Sequence, residues 1–250
     1  RRRGHHAHRP MDRARRPPHL SAQCGQIAER AREVLQTFDA FTQEARAPDE
    51  LAGVLTLGCI SGFSSDVIPK ALGNLRTRYP RLQIKMTEGQ STELIRMVRR
   101  RELDAAIATE PLVPEPGLEI LPITVEPLIT IAPPDAKVSD WKEALTSLPF
   151  LRVNRLSGMG ALIDTVIRNE GLVVTDAMEL DSTEVVLSMV QAGLGAGVIP
   201  AGRLKDGSGQ QVRSFPFGSP PVSRRVVLIE RPDYERTDLS QVLYNELKRL

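Results

Sequence analysis

The feature that most constrains the fold is a regular alternation of apolar runs and amphipathic segments, which starts at residue 51. The run LAGVLTLGCI at 51–60 is strand-like, whereas 64–80 repeats apolar residues at the spacing of one buried helix face. A strand at 81–89, a helix at 91–103 and a strand at 104–109 follow. This alternation predicts an α/β fold in which helices cover a largely parallel sheet.

The alternation restarts after a proline-rich stretch between Pro111 and Pro122, so the chain contains two similar α/β blocks. The second block begins with an apolar strand at 125–134 and continues with helices at 139–148, 160–171 and 182–193 and strands at 150–154, 173–180 and 196–200. A strand at 223–231 and an amphipathic helix at 238–250 come last. Two such blocks predict two lobes facing a cleft, where a small ligand loses most of its contact with water.

A helical pattern precedes the two blocks, because residues 26–45 contain no glycine or proline. The apolar positions alternate gaps of four and three and are Ile27, Ala31, Val34, Phe38, Phe41 and Ala45. This is the coiled-coil period, so it predicts pairing with another helix, such as the same segment of a second subunit. An amphipathic helix lying on its own domain is the alternative that the spacing leaves open.

Positive charge and histidine are concentrated in the first twenty residues, which hold seven arginines, one acidic residue and all four histidines. We expect residues 1–20 to form a disordered basic tail, and metal capture by His5, His6 and His8 is the alternative. The rest of the chain is mildly acidic and poor in aromatic residues, which argues against a nucleic-acid surface. Its lack of histidine excludes a Ser-His-Asp or Cys-His catalytic unit and a histidine-ligated zinc site.

Signals for membranes, secretion, metals and nucleotides are missing from the sequence. No apolar run approaches the roughly 18 residues of a membrane span, and no secretory signal is visible, so we expect a cytoplasmic protein without a membrane partner. Cys24 and Cys59 lack metal-ligand spacing, and we expect free thiols, with Cys59 packed in the core. The glycines at 158–163 do not form a phosphate loop. We therefore predict no cofactor and no bound metal.

Hydroxyl groups and glycines cluster where predicted strands run into predicted helices. The four turns are at 61–65, 89–92, 154–158 and 181–183. A helix start offers unpaired N–H groups and the positive end of the helix dipole, so several of them facing one cleft would hold a carboxylate or another small anion. Ordinary helix capping by serine and threonine is the alternative at each turn.

Three stretches resemble the LysR-type transcriptional regulators in sequence and in order. IAERAREVLQTFDAFTQEA (27–45) resembles the linker helix of that family, residues 51–109 resemble its first effector-binding subdomain, and MELDSTEVVLSMVQAGLGAGVIP (178–200) resembles a later helix and strand. The resemblance covers about residues 20–250. It implies two Rossmann-like lobes around a central cleft, similar to type 2 periplasmic binding proteins and preceded by a linker helix.

The resemblance also implies a division of the chain. The tail would occupy 1–20, the linker or dimerisation helix 21–47, lobe I 51–126 together with 230–250, and lobe II 127–229. The two crossings between lobes would fall near 122–128 and 229–233. Family members carry a winged helix-turn-helix before the linker helix, and only LSAQCGQ (20–26) resembles its end. We therefore expect this chain to contact DNA only through a helix-turn-helix that is absent or degenerate here.

In the family, a small effector, often an organic acid, binds between the lobes of a homo-oligomer. The resemblance places effector-binding residues at the four turns, near the first crossing and on a late strand: Ser61, Gly62, Phe63, Ser64, Gln90, Ser91, Thr130, Asn154, Ser157, Ser182, Thr183, Gly197 and Val198.

The leading hypothesis is therefore a LysR-type transcriptional regulator that senses a small-molecule effector in the cleft between its lobes. The alternative is a solute-binding protein of a transport system with the same lobes, which the missing export signal and the coiled-coil pattern disfavour. A third hypothesis, an enzyme on this scaffold, is disfavoured by the missing histidines and by the lack of a recognisable nucleophile-base pair.

Overall fold

The computed structural model of the protein describes residues 11–12, 19–20, 51–64, 67–204, 212–232 and 237–250. Within the predicted tail, β1 (Met11–Asp12) pairs antiparallel with β2 (His19–Leu20). The predicted linker helix at 21–47 and Cys24 lie outside the described residues. Residues 51–250 form one compact unit.

The first part of this unit alternates strands and helices as the apolar pattern predicts. Its elements are β3 (Gly53–Cys59), α1 (Ser61–Ser64), α2 (Val67–Arg78), β4 (Leu82–Glu88), α3 (Ser91–Arg99) and β5 (Ala105–Thr109). The strand β3 lies between β4 and β5 and runs parallel to both. Because parallel strands end at the same edge of a sheet, the turns after β3 and β4 lie at one edge.

The second part repeats this plan around a central strand. Its elements are α4 (Trp141–Ser147), β7 (Phe150–Val153), α5 (Gly158–Asn169), β8 (Asp176–Leu180), α6 (Thr183–Gln191), β9 (Ala196–Pro200), a 3-10 turn (Ala201–Arg203) and β10 (Arg213–Pro216). The strand β7 runs parallel to β8 on one side and to β9 on the other. The final helix, α7 (Thr237–Arg249), packs against α2 in the first part.

A single long strand, β6 (Glu119–Ala132), belongs to both parts. Its residues 119–127 pair antiparallel with β11 (Ser223–Glu230), which also pairs with β5. Its residues 128–132 pair instead with β9 and β10. The sheet is therefore continuous, in the order β4, β3, β5, β11, β6, β9, β7, β8, with β10 also on β6.

The strand β6 begins six residues before the predicted strand at 125–134, within the stretch predicted as a proline-rich connection. Proline has no N–H to donate, so it fits a strand only where one side is unpaired. Pro122 and Pro127 meet this condition, because the described part of the sheet pairs residues 119–127 with β11 alone. The prolines mark a one-sided strand and not a loop.

Two large hydrophobic cores and one small cluster, formed by Ile95, Ala108, Val227 and Ile229, lie along this sheet. The first contains side chains of β3, β5, α2, α3 and α7, and the second contains side chains of β7, β9, α4, α5 and α6. We call the elements around them the first and the second lobe. The strand β11 packs in the first core through Val226 and Leu228. The predicted lobe limits at 126/127 and 229/230 stay a prediction, whereas the predicted α/β fold with two lobes is what the chain adopts.

Candidate functional site

The carboxyl ends of the parallel strands from both lobes surround one small cavity. Its volume is about 40 Å³. It is lined by the turns after β3, β4 and β7, by the start of α6 and by one residue of β11, namely by Ile60, Ser61, Gly62, Gly89, Gln90, Ser91, Thr109, Val153, Ser157, Met159, Asp181, Thr183 and Arg224.

Six of the thirteen predicted effector-binding residues line this cavity: Ser61, Gly62, Gln90, Ser91, Ser157 and Thr183. They come from four turns that are far apart in sequence and belong to different lobes. The convergence follows from topology, since each turn leaves the carboxyl end of a strand and the shared sheet brings these ends together. Their role in binding stays a prediction.

Two further predicted residues lie beside the cavity lining and bond to neighbouring acids. The Asn154 side-chain Nδ2 donates to Asp181 Oδ1 at 2.6 Å. The Ser182 hydroxyl donates to Glu184 Oε2 at 2.7 Å. Both side chains therefore fix the polar groups around the cavity without lining it.

The other predicted residues lie away from the lining. Phe63 is buried in the first core, and Val198 is buried in the second. Thr130 is fully buried on β6, and its hydroxyl has no hydrogen-bond partner among the described residues. A Cβ on Gly197 would lie 2.4 Å from Val186 Cγ1, so this glycine lets α6 pack closely on β9. The backbone of Ser64 ends α1, but its side chain lies outside the described residues.

Helix capping explains only part of the hydroxyl pattern at the turns. Ser157 is the N-cap of α5, and its Oγ accepts from Gly160 N at 2.9 Å. The N-cap residues of α3 and α6, Gln90 and Ser182, make no side-chain cap hydrogen bond. Ser91 is buried, and its Oγ instead accepts from Thr109 N at 3.1 Å, which ties the start of α3 to β5.

The sequence predictions missed the one buried charged residue of the lining, Arg224. Its side chain is 6% exposed, and its Nε donates to Glu126 Oε2 at 2.6 Å. Its Nη1 contacts Met159 Sδ at 3.6 Å, and its Nη2 is buried with no partner among the described residues. A period of two could have found it, since Arg224 shares one strand face with Val226 of the first core.

Asp181, also missed as a lining residue, joins the two lobes at the cavity. Its Oδ1 accepts from Asn154 in the second lobe and from Gln90 Nε2 in the first lobe, the latter at 3.4 Å. The side chain of Asp181 is exposed, which places a carboxylate at the mouth of the cavity. The sequence contained a signal for it, because Asp181 stands in the predicted turn 181–183.

The walls of the cavity are in direct contact, which explains its small volume. Thr92 Oγ1 in the first lobe donates to Leu156 O in the second at 3.2 Å. A Cβ on Gly158 would lie 2.9 Å from Thr109 Cβ, closer than side chains normally approach. A ligand much larger than a few atoms would therefore bind only when the lobes separate.

Cys59 directly precedes Ile60, a residue of the cavity lining. Cys59 is buried, and burial together with the charge of Glu88 raises the pKa of its thiol to about 12, against the opposing effect of Arg224. The thiol therefore stays protonated and unreactive at neutral pH.

In the part of the chain that the structure describes, no three His, Cys, Asp or Glu side chains cluster closely enough to hold a metal ion. None of the described helices combines the length and apolarity of a membrane span.

Comparison with known proteins agrees with this architecture. The family model "LysR substrate binding domain" matches residues 48–250. The probable hydrogen peroxide-inducible genes activator of Mycobacterium xenopi is 35% identical over 132 residues, which are 52% of this chain and 69% of the relative. The HTH-type transcriptional regulator CzcR of Bacillus cereus is 26% identical over 181 residues, which are 72% of this chain and 61% of CzcR. That match spans less than two thirds of CzcR.

Solved structures show the same fold. The effector binding domain of QuiR in complex with shikimate has a TM-score of 0.70 at 16% identity, over 80% of this chain and 97% of QuiR. A cysteine mutant of Corynebacterium glutamicum OxyR with bound H2O2 has a TM-score of 0.68 at 22% identity, over 96% of this chain and 78% of OxyR. These likenesses confirm the predicted bilobal fold, similar to type 2 periplasmic binding proteins. With its family match over residues 48–250, this chain belongs to the LysR family through its substrate-binding domain.

Proposed function

We propose that the chain is the effector-sensing part of a LysR-type transcriptional regulator and binds a small molecule in the cavity between its lobes. The observation that carries this proposal is the convergence of turns from both lobes on one cavity that also holds a buried arginine. Structural relatives with the same fold are described with shikimate or H2O2 bound, which supports a small-molecule site. The other proposed partners are further copies of the chain, and DNA only through a helix-turn-helix that is absent or degenerate in this sequence.

The chemistry of the lining favours a ligand with a carboxylate. The starts of α3, α5 and α6 all meet at the cavity, and each presents backbone N–H groups and the positive end of a helix dipole. The Arg224 guanidinium adds a full positive charge and a free donor at Nη2. Hydroxyls of Ser61 and Thr183 complete a polar surface divided between the lobes.

The position of the cavity explains how such a ligand would signal. A ligand held by both lobes binds the closed arrangement better than an open one, and only this difference in affinity can shift the equilibrium between them. We propose that this shift changes how copies of the chain assemble. Turnover is not part of the proposal, because the named relatives are regulators and the described residues of the lining contain no nucleophile-base pair.

The test is thermal unfolding of the 250-residue chain with a panel of small carboxylic acids that includes amino acids. We expect at least one acid to raise the Tm of the wild-type protein and to lose this effect in a Ser61→Ala, Thr183→Val double variant. Ser188→Ala is the matched control, since Ser188 is an exposed residue of α6 that does not line the cavity. An undiminished shift in the double variant, or no shift with any acid, would refute the proposed site.

A further inference from the structure

Two charged side chains of opposite sign line the cavity, and the other described residues of the lining are uncharged. Arg224 is buried, whereas Asp181 lies exposed at the mouth. We propose that the effector is a small free amino acid, whose carboxylate binds Arg224 and whose ammonium group binds Asp181. The inference rests on the proposed function of the cavity and narrows its ligand to a zwitterion.

The contacts of Arg224 leave one end of its guanidinium group for a ligand. The Nε edge is occupied by Glu126, at 2.6 Å. The Nη1 atom has only the thioether of Met159 at 3.6 Å, and Nη2 is buried without an acceptor in the described residues. Two adjacent N–H groups match the two oxygens of a carboxylate, so this end is a natural carboxylate site. Glu126 holds the group in place from the opposite edge.

The contacts of Asp181 leave one oxygen for a cationic donor. Both amide groups that bond to it, from Asn154 and Gln90, donate to Oδ1. Among the described residues none donates to Oδ2. An ammonium group carries three N–H donors and a positive charge, and therefore satisfies a carboxylate better than an amide does. The Gln90 contact, at 3.4 Å, is long enough to be replaced by a ligand.

The charges around the cavity favour a zwitterionic ligand over a ligand that is only an anion. Arg224 is already paired with Glu126, whereas the described residues give the negatively charged carboxylate of Asp181 no ion-pair partner. A ligand that carried only a carboxylate would meet this charge at short range and be repelled by it. An ammonium group on the same ligand removes the repulsion and replaces it with attraction. The small cavity, about 40 Å³, favours amino acids with short side chains.

The experiment compares each standard amino acid except proline with its 2-hydroxy acid, such as L-alanine with L-lactate, by thermal unfolding and calorimetry of the 250-residue chain. In each pair a hydroxyl group replaces the ammonium group, and the rest of the molecule is the same. We expect one or more amino acids to raise the Tm and to bind about tenfold or more tightly than the matched hydroxy acid. An Asp181→Asn variant should bind the two members of the pair with equal, weak affinity.

Asp135→Asn is the matched control, because Asp135 is exposed and outside the lining and loses the same charge. It should keep the preference of the wild-type protein. If hydroxy acids bind as tightly as amino acids, or if Asp181→Asn still prefers amino acids, the effector is not recognised as a zwitterion. Either result would leave the proposed function of the cavity standing. A chain that binds neither class would overturn the proposed function, and the inference with it.

Discussion

The two lobes have the same strand-and-helix plan but use similar polar residues in different ways. In the first lobe, the Ser91 hydroxyl at the start of α3 bonds to the neighbouring strand through Thr109 N. In the second lobe, the Ser157 hydroxyl bonds to its own helix through Gly160 N. A serine at a helix start is therefore not evidence of a single role, since the same sequence pattern produces a link between elements in one lobe and a cap in the other.

The two lobes also shift the pKa of a glutamate in opposite directions. Burial raises the pKa of Glu230, which packs in the first lobe at the end of β11 beside Glu119. Burial also acts on Glu184 of the second lobe, but hydrogen bonds from Ser182 and its own backbone N–H, together with Arg203, outweigh it and lower its pKa. The first lobe therefore disfavours the ionised form of Glu230, whereas the second lobe favours the ionised form of Glu184.

The largest expected effect comes from Arg224, the buried arginine of the cavity lining. Replacing Arg224 by Met would leave Glu126 in a mostly buried position without its partner, which costs about 3 kcal/mol of the free energy of unfolding. Urea unfolding measures this loss. A second variant, Arg224→Met with Glu126→Gln, should recover most of it, and a failure to recover would mean that the arginine acts through packing and not through its charge.

A smaller effect distinguishes the two serines. Ser91→Ala leaves the buried Thr109 N–H without an acceptor and should lower the free energy of unfolding by about 2 kcal/mol. Ser157→Ala removes only a helix cap and should cost about 1 kcal/mol. Urea unfolding of both variants, with Ser188→Ala as an exposed reference, measures the difference. Equal losses would show that the two hydroxyls have equivalent roles.

The smallest effect is the dependence of stability on pH. Because the pKa of Glu230 is raised in the folded state, its stabilising contribution exists at acid pH and is lost as the pH rises through that pKa. Glu230→Gln should therefore gain in Tm relative to the wild-type protein as the pH rises. Glu184 has a lowered pKa, so its contribution exists at neutral pH and is lost as the pH falls. Glu184→Gln should therefore have a lower Tm than the wild-type protein at neutral pH, and this difference should become smaller at acid pH. If the Tm of both variants relative to the wild-type protein changed in the same direction with pH, the contrast between the two carboxylates would be wrong.

The order of strands and helices could be predicted well from the sequence. Strands and helices that pack in the core repeat apolar residues with their own periods, and these periods can be read from the sequence. It also predicted the turns at Ser61, Ser91 and Thr183, since the position of a turn after a parallel strand follows from topology. The alternation of the last strand could have placed Arg224 on the inward face with Val226, but its pairing with Glu126 joins two strands that are far apart in sequence and was not predictable. Gly197 was assigned to the site by resemblance, but it lies against Val186, because the preceding helix α6 packs closely on β9, and such a packing distance is not visible in the sequence.

The strand β6 passes through both lobes without interruption, which limits the ways in which the cavity can open. Any change in the angle between the lobes must bend or twist this one piece of backbone and its neighbour β11. The more compliant portion is 119–127, which the described part of the sheet pairs with a strand along one edge only, whereas 129–131 are paired with β9 on one edge and with β10 on the other. We therefore expect β6 to bend within 119–127 when the cavity opens. The second lobe should then move as a rigid unit together with residues 128–132.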